Sequence, residues 1–135
     1  MKTTAKKRIA LSSFGIIIFL LSSAFVQPPR WEYLGLRKVN KSFDRDEIAV
    51  TGFEGSFNAL KVQVKYRAIS MYDMKVHYRN GSVEDIKLRL HIPAGGESRI
   101  IDLRGGNRVI TKVVFRYETK VDKGKRAEVR LFGRH

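Results

Sequence analysis

A regular alternation of apolar and polar residues across the middle of the chain constrains the fold more than any other feature. It runs through residues 60–67, 71–79 and 86–92. Successive side chains of a β-strand point to opposite faces, so this period of two predicts half-buried strands rather than helices, whose period is 3.6. The positions predicted to face the core are Leu60, Val62, Val64, Tyr66, Tyr72, Met74, Val76, Tyr78, Ile86, Leu88, Leu90 and Ile92.

The Asn80-Gly81 pair lies between two of these strands and predicts a β-hairpin. A two-residue loop would place Met74 opposite Lys87, which mixes core with solvent positions, since a slip of one residue moves every side chain to the other face. A three-residue loop with Gly81 in the left-handed conformation keeps the core positions together, and we expect that register. It pairs Met74 with Ile86, Tyr72 with Leu88, Asp73 with Lys87 and Lys75 with Asp85.

Two glycine pairs, at positions 95–96 and 105–106, bracket a short apolar run. Each pair predicts a tight turn because glycine readily adopts positive φ, and the run between them predicts a strand. Turns of this kind can also direct backbone N–H groups at an anion. Asp102 is the expected ion-pair partner of one nearby arginine. The candidate anion-binding residues of this stretch are Arg99, Arg104 and Arg108.

The first 24 residues have the order of a secretory signal peptide. Four basic residues precede the uncharged segment 9–21, and small residues allow cleavage after Ala24. The alternative is an uncleaved anchor, because residues 9–26 carry no charge and approach the ~20 residues needed to span a membrane. We expect a signal helix at 1–24, a linker at 25–30, a β-domain at 31–135 and a periplasmic or secreted protein. Membrane contact is expected only through residues 9–26 if they are retained.

Further short strands are predicted at residues 31–36, 48–50, 109–117 and 127–131, and the polar segment Asn40–Glu47 predicts a loop. The segment 109–117 has apolar residues on both sides, which predicts a central strand. About eight short strands joined by glycine-rich turns predict an all-β protein. The fold expected is a single antiparallel β-sandwich, jelly-roll-like in its connections.

No catalytic or metal-binding motif is present in the sequence. The chain has no cysteine, which excludes disulfides, thiolate zinc sites and a cysteine nucleophile. His77 and His91 stand among basic residues without ligand spacing. The segment Asp44–Glu47 has oxygen ligands that suit calcium but lacks the glycine and the further ligands of a calcium loop, which favours a solvated loop. No serine lies in a nucleophile elbow. We expect a non-enzymatic protein with no cofactor and no metal.

Positive charge is the main functional signal. The chain holds 27 Lys and Arg against 13 Asp and Glu, and removal of residues 1–24 lowers its net charge only from +14 to +10. A basic exterior suits an anionic cell-envelope polymer or a protein partner. Export and the lack of outward aromatic residues for base stacking argue against nucleic acid. The candidate anion-binding residues on the polar strand faces are Lys61, Lys65, Lys87 and Arg89.

Three alternatives stay open at this point. The basic residues can form a solvated exterior with no ligand. A lectin-like carbohydrate-binding module would stack sugars on aromatic residues in or near loops, here Trp31, Tyr33, Phe43 and Phe53. A structural subunit would pair through an exposed strand edge and form concentration-dependent oligomers.

The order of several short motifs resembles an uncharacterised family of small exported bacterial proteins. The resemblance covers nearly all of the chain after the signal segment. It implies bacterial export and a β fold, and it brings no activity or site residues with it. The motifs are Leu34-Gly35, Asp44-Arg45-Asp46, Phe57 with Leu60, Tyr72-Asp73-Met74, Asn80-Gly81, Gly95 to Leu103, Arg108-Val109-Ile110 and Leu131-Phe132-Gly133.

Overall fold

Eight β-strands and one short 3-10 helix, Gly52–Glu54, make up the part of the chain that the computed structural model describes, residues 27–40, 42–120 and 124–135. The predicted signal segment 1–24 and the start of the linker lie outside these residues. No helix among the described residues is long and apolar enough to span a membrane. The strands are β1 (Trp31–Lys38), β2 (Phe43–Ala49), β3 (Ala59–Lys65), β4 (Ile69–Tyr78), β5 (Val83–Ile92), β6 (Ile101–Asp102), β7 (Ile110–Glu118) and β8 (Glu128–Arg134).

The strands form two antiparallel sheets of four that share one hydrophobic core. Sheet one has the order β1-β8-β3-β6, and sheet two has the order β2-β7-β4-β5. Buried side chains from both sheets, such as Val62 and Leu131 of sheet one and Met74 and Phe115 of sheet two, belong to the same cluster. The expected all-β, two-sheet, sandwich-like architecture is confirmed, and β7 lies between β2 and β4, the central position predicted for it.

Between Asp73 and its loop, the β4–β5 hairpin has the predicted register, whereas the predicted pair of Tyr72 with Leu88 is absent from the ladder. Asp73 pairs with Lys87, Met74 with Ile86, and Lys75 with Asp85. The amide of Tyr78 donates to the carbonyl of Ser82 at 2.9 Å, and Gly81 has φ +90°. A three-residue loop with its glycine at positive φ therefore closes the hairpin, as expected.

The predicted inward position of Tyr72 is wrong, because a β-bulge interrupts β4 at this residue. Against β7, Met71 pairs with Tyr117 and Asp73 with Arg116, so Tyr72 is an extra residue of β4. Against β5, Met71 pairs with Leu90 and Asp73 with Lys87, so there the extra residue belongs to β5. Tyr72 is 37% exposed, while Met71 and Met74 on either side of the bulge are fully buried. A bulge changes which face the following side chains point to, and strict alternation does not anticipate it.

The loop predicted from Asn40 to Glu47 is wrong for most of its length, since β2 begins at Phe43. Its polar residues occupy an edge strand. Asp46 lies opposite Phe115, on the core side, and accepts a hydrogen bond from the Tyr117 hydroxyl. Inward-pointing carboxylates on an edge strand oppose pairing with another chain, which explains a strand without an apolar face.

Strand β3 ends one residue before Tyr66, so the predicted core position of Tyr66 is also wrong. Tyr66 has φ +73° and is 46% exposed. The glycine-pair turns are as predicted. Gly95, Gly105 and Gly106 have positive φ, and the amide of Gly96 donates to the carbonyl of Pro93 at 2.9 Å. The strand between the two turns is the two-residue β6.

Candidate functional site

Most cations on the outer faces of the two sheets lie beside a carboxylate. Cross-strand register brings this about, since Lys75 lies opposite Asp85 and Asp73 lies between Lys87 and Arg116. Such pairs lower the positive potential of both faces. The ion pairs are Lys61–Glu97 at 3.7 Å, Arg134–Asp102 at 3.2 Å, Arg130–Glu128 at 2.8 Å, Lys75–Asp85 at 3.4 Å, Lys112–Glu47 at 3.6 Å, Lys87–Asp85 at 3.2 Å, Lys87–Asp73 at 3.8 Å and Arg116–Asp73.

Positive charge is less balanced at the end of the molecule where β1, β3 and β7 finish and β8 begins. Two acids that the structure describes at this end are already engaged: Glu118 accepts a hydrogen bond from Tyr72, and Glu128 pairs with Arg130. Lys38, Lys65 and Lys120 have no carboxylate within ion-pair distance among the described residues. We call this region the basic end. Its cations are Lys38, Lys65, Arg67, Lys120, Lys125 and Arg126.

Two grooves meet at Tyr66 within the basic end. One has a volume of about 630 Å³ and is lined by Arg67, His91 and Lys120 among others. The second has a volume of about 350 Å³ and is lined by Lys38, Tyr66, Lys125, Arg126 and Glu128. The ammonium of Lys125 lies 4.2 Å from the centre of the Tyr66 ring. A tyrosine at positive φ is uncommon and is found at strained, often functional, positions.

A third groove, of about 350 Å³, lies on the outer face of sheet two beside the β4 bulge. Phe43 is 61% exposed, and its ring centre lies 6.0 Å from that of Tyr72 with an angle of 44° between the ring planes. Outward aromatic residues are therefore present, contrary to the sequence expectation. The residues that line this groove, called here the aromatic groove, are Phe43, Tyr72, Asp73, Lys87, Arg89 and Arg116.

Two side chains of the aromatic groove are held in place by hydrogen bonds. The Asp73 carboxylate accepts two bonds from Nε of Arg116, at 2.9 and 3.1 Å, and one from its Nη2. These bonds lower the pKa of Asp73, although burial opposes the shift, and they raise the pKa of Arg116. The Tyr72 hydroxyl donates to Glu118, which raises the pKa of Tyr72. Arg116 thus stays charged and points outward from a buried anchor.

The three arginines predicted from the glycine-rich stretch lie outside both the basic end and the aromatic groove. Arg108 lies between β6 and β7 and packs on the end of the β4–β5 hairpin. Its guanidinium carbon lies 3.8 Å from the centre of the Tyr78 ring, and Nη1 donates to the carbonyl of Arg104 at 2.8 Å. The amide of Arg104 donates to Glu84. Arg99 lies exposed in the segment before β6 and donates weakly to the carbonyl of Ile100. Asp102 pairs with Arg134 of β8 rather than with any of the three.

The other four predicted residues are divided among three surfaces. Lys65 belongs to the basic end, whereas Lys61 lies on the outer face of sheet one, 4.5 Å from the centre of the Trp31 ring. Lys87 and Arg89 line the aromatic groove. The structure therefore does not bring the seven candidates into one site. It gathers instead Lys38 and Lys65 at the ends of two strands with cations from connecting segments that show no periodic pattern.

Metal ligands are not clustered in the described residues, where no group of three His, Asp or Glu side chains is placed to hold an ion. His77 and His91 lie on sheet two, and burial lowers the pKa of His77. His91 hydrogen bonds through Nδ1 to the Ser70 hydroxyl at 3.2 Å. His135 contacts Glu32 at 3.3 Å.

The fold and these surfaces define a small two-sheet β domain with a basic end and one exposed aromatic groove. The chain belongs to a family described as a domain of unknown function, DUF2541, whose model matches residues 13–133. Membership agrees with the resemblance drawn from the motifs. No curated protein sequence matches the chain.

Two solved structures show a partial structural similarity to this chain. One chain comes from the structural and functional characterization of Pseudomonas aeruginosa AlgX, with a TM-score of 0.47 and 15% identity, and the match covers 74% of this chain. This chain spans only 26% of that one. The other structure is the SPBc2 prophage-derived protein YomS, with a TM-score of 0.46 and 14% identity, where 83% of this chain and 99% of YomS are covered.

Proposed function

We propose that this protein is an exported, non-enzymatic binding domain that contacts an anionic polymer of the cell envelope through its basic end. The observation that carries the proposal is the uneven distribution of charge. Most cations on the outer faces are matched by carboxylates, whereas Lys38, Lys65 and Lys120 at the basic end have no carboxylate within ion-pair distance among the described residues. Unmatched, exposed cations attract anions over a distance of about 10 Å at moderate ionic strength.

A polymer suits this surface better than a small anion. The cations lie around two grooves that are both lined by Tyr66, rather than converging on one point. Lysines act as point charges on flexible stems, so they follow a repeating chain of phosphate, sulfate or carboxylate groups. Each contact is weak, and affinity comes from several contacts made together.

Export supports an envelope ligand. Residues 1–24 have the basic and then apolar order of a signal peptide, and their removal leaves a net charge of +10 on the remaining chain. A periplasmic or secreted domain of this charge meets anionic polymers of the envelope before it meets nucleic acid. The mass of the protein recovered from outside the cytoplasm would show whether residues 1–24 have been removed.

We also infer that the strands are connected as a jelly roll. The sheet orders support this, since β1 lies beside β8, β2 beside β7, β3 beside β6 and β4 beside β5, as when one long antiparallel ribbon is wound over two sheets. In such a winding, the β1–β2, β3–β4, β5–β6 and β7–β8 connections lie at the same end. Two of these connections, β3–β4 and β7–β8, carry four cations of the basic end, and Lys38 and Lys65 are the last residues of β1 and β3.

The test compares two double variants that each remove two lysines. Lys65→Gln with Lys120→Gln removes unmatched cations of the basic end, and Lys75→Gln with Lys112→Gln removes matched cations of sheet two. Retention of the purified protein on immobilised heparin and on teichoic acid is measured against salt concentration. We expect the first variant to elute at clearly lower salt than the wild type and the second to elute close to it.

Equal shifts for the two variants would refute a localised basic end. No salt-sensitive retention of the wild type on any anionic polymer would refute the function itself. A lectin-like module is the second candidate, and the exposed Phe43–Tyr72 pair is the observation that favours it.

A further inference from the structure

We infer that the aromatic groove binds a sugar ring that carries a carboxylate or sulfate group. The sugar would stack on the Phe43–Tyr72 pair while its anionic group meets Arg89 and Arg116. This inference deepens the lectin-like candidate by naming its ligand class, and its site is separate from the basic end.

Two bulge-related distortions at the same level of sheet two build the groove. The bulge in β4 turns Tyr72 outward next to Asp73, and the opposite strand carries Arg89 at φ +46°. A positive φ in a non-glycine residue costs stability and persists where the surroundings impose it. Bulges are frequent next to binding sites because they redirect side chains. The distortion here brings an aromatic ring and an arginine into one groove.

The groove is organised before any ligand arrives. Asp73 occupies the Nε–H and one Nη2–H of Arg116, so three of the five guanidinium N–H groups remain for a ligand. The hydrogen bond to Glu118 fixes the ring of Tyr72. Side chains that are already ordered lose less entropy on binding.

The mixture of groups favours an acidic sugar over a bare phosphate chain. A sugar ring has an apolar face that packs on aromatic rings, and its hydroxyls need both donors and acceptors. Lys87, Arg89 and Arg116 donate, and the Tyr72 hydroxyl oxygen can accept, while the carboxylates of Asp73 and Glu118, which hold Arg116 and Tyr72, add negative charge beside the groove. Those same carboxylates repel a dense row of phosphates. The volume of about 350 Å³ falls at the lower end of the range for ligand pockets, ~300–1,000 Å³, and suits one ring of a longer chain.

The site is tested by titration calorimetry of the purified protein with four short probes. These are trigalacturonic acid, a heparin-derived tetrasaccharide, a neutral galactose trisaccharide and hexathymidylate. We expect at least one acidic sugar to bind, with the neutral sugar and hexathymidylate at least about tenfold weaker. Phe43→Ala and Arg89→Gln should each weaken that binding about fivefold or more, the loss expected for one stacking or cationic contact.

Matched controls are available on other surfaces. Tyr33→Ala removes an aromatic side chain of similar exposure, 48%, from sheet one, and Arg79→Gln removes an exposed arginine from the hairpin loop. Both should bind the acidic sugar as the wild type does. The inference is overturned if neither acidic sugar binds, if the neutral sugar binds equally well, if the controls lose as much affinity, or if hexathymidylate is preferred.

The outcome separates this site from the proposed function. Lys65→Gln with Lys120→Gln should leave binding of the short acidic sugar within twofold of the wild type while it weakens retention on long polymers. If the wild type binds no short acidic sugar but is retained on long polymers, only the proposal for the aromatic groove is refuted. If the wild type binds a short acidic sugar but is not retained on any long polymer, only the proposal for the basic end is refuted.

Discussion

Asp73 is 1% exposed, the least exposed charged residue in the described part of the chain, and its partner Arg116 reaches the surface. We predict that Asp73→Asn lowers the free energy of unfolding at pH 7 by about 1–3 kcal/mol, because hydrogen bonds to a charged group are lost while Arg116 keeps its charge. Urea denaturation monitored by tryptophan fluorescence measures the change. Asp102→Asn, whose 80% exposed side chain pairs with Arg134, should cost less than about 0.5 kcal/mol.

The same residue gives the stability a defined dependence on pH. Since Arg116 lowers the pKa of Asp73 in the folded protein, the carboxylate contributes its full stability above the unfolded pKa of about 3.9. The contribution is lost as the pH falls through the lower folded value. The difference in stability between wild type and Asp73→Asn should therefore be constant from pH 7 to pH 5 and shrink below about pH 4. A difference that stays constant down to pH 2 would contradict this.

Gly133 lies where the packed core leaves no room for a side chain. A Cβ atom added here would lie 2.6 Å from Cδ1 of Phe57 and 3.0 Å from Cδ1 of Leu34, so no other side chain fits without movement of the core. We predict that Gly133→Ala destabilises the protein by about 1–3 kcal/mol through overpacking. Gly52→Ala is the control, because its Cβ would meet open space. Equal midpoints of denaturation for the two variants would refute the steric argument.

At the level of the strands, the bulge-related strain at Arg89 leads to a separate prediction. Glycine accepts φ +46° at no steric cost, so we expect Arg89→Gly to stabilise the protein by about 1 kcal/mol. Lys87→Gly in the same strand, where φ is not positive, should destabilise it. Thermal unfolding of both variants decides the sign. A stabilised Arg89→Gly that binds acidic sugars less well would mean that an arginine is kept at a strained position because its side chain contributes to binding.

The strands could be predicted where alternation is uninterrupted and could not where a local distortion resets it. The β4–β5 hairpin follows from Asn80-Gly81 and from core positions that must match across the turn. Tyr72 could not be placed, because a bulge depends on contacts with two neighbouring strands rather than on its own segment. Residues 43–47 of β2 were predicted as a loop because Asp46 takes a core-side position, which the hydrogen bond from the Tyr117 hydroxyl makes acceptable.

At the level of the whole molecule, the amount of charge could be read from the sequence, but its distribution could not. Composition gives the net charge, and alternation gives the outward direction of Lys75 and Lys87. Which cations are matched by acids depends on cross-strand register. Which remain unmatched depends on how distant connections meet at one end, as Lys38 and Lys125 do in one groove. The pattern of the glycine-rich stretch predicted an anion-binding site, yet the Arg108 side chain packs on Tyr78 and hydrogen bonds to the carbonyl of Arg104.

The uneven charge distribution predicts opposite effects on stability for two changes of equal charge. Lys65→Gln with Lys120→Gln relieves repulsion among unmatched cations and should raise the free energy of unfolding at low salt by a few tenths of a kcal/mol, up to ~1 kcal/mol. Lys75→Gln with Lys112→Gln removes one of the two lysine partners of Asp85 and the partner of Glu47, and should lower it by a similar amount.

Both effects should fade at about 1 M salt, where the screening length is ~3 Å, if they are electrostatic. Thermal unfolding from low to high salt measures them, and a shift that persists at 1 M salt would indicate altered packing instead. Two variants that shift stability in the same direction would show that the cations of the basic end are balanced after all. Opposite shifts that converge with salt would mean that the protein keeps an unfavourable concentration of charge at one end, which is expected of a surface that meets an anionic partner.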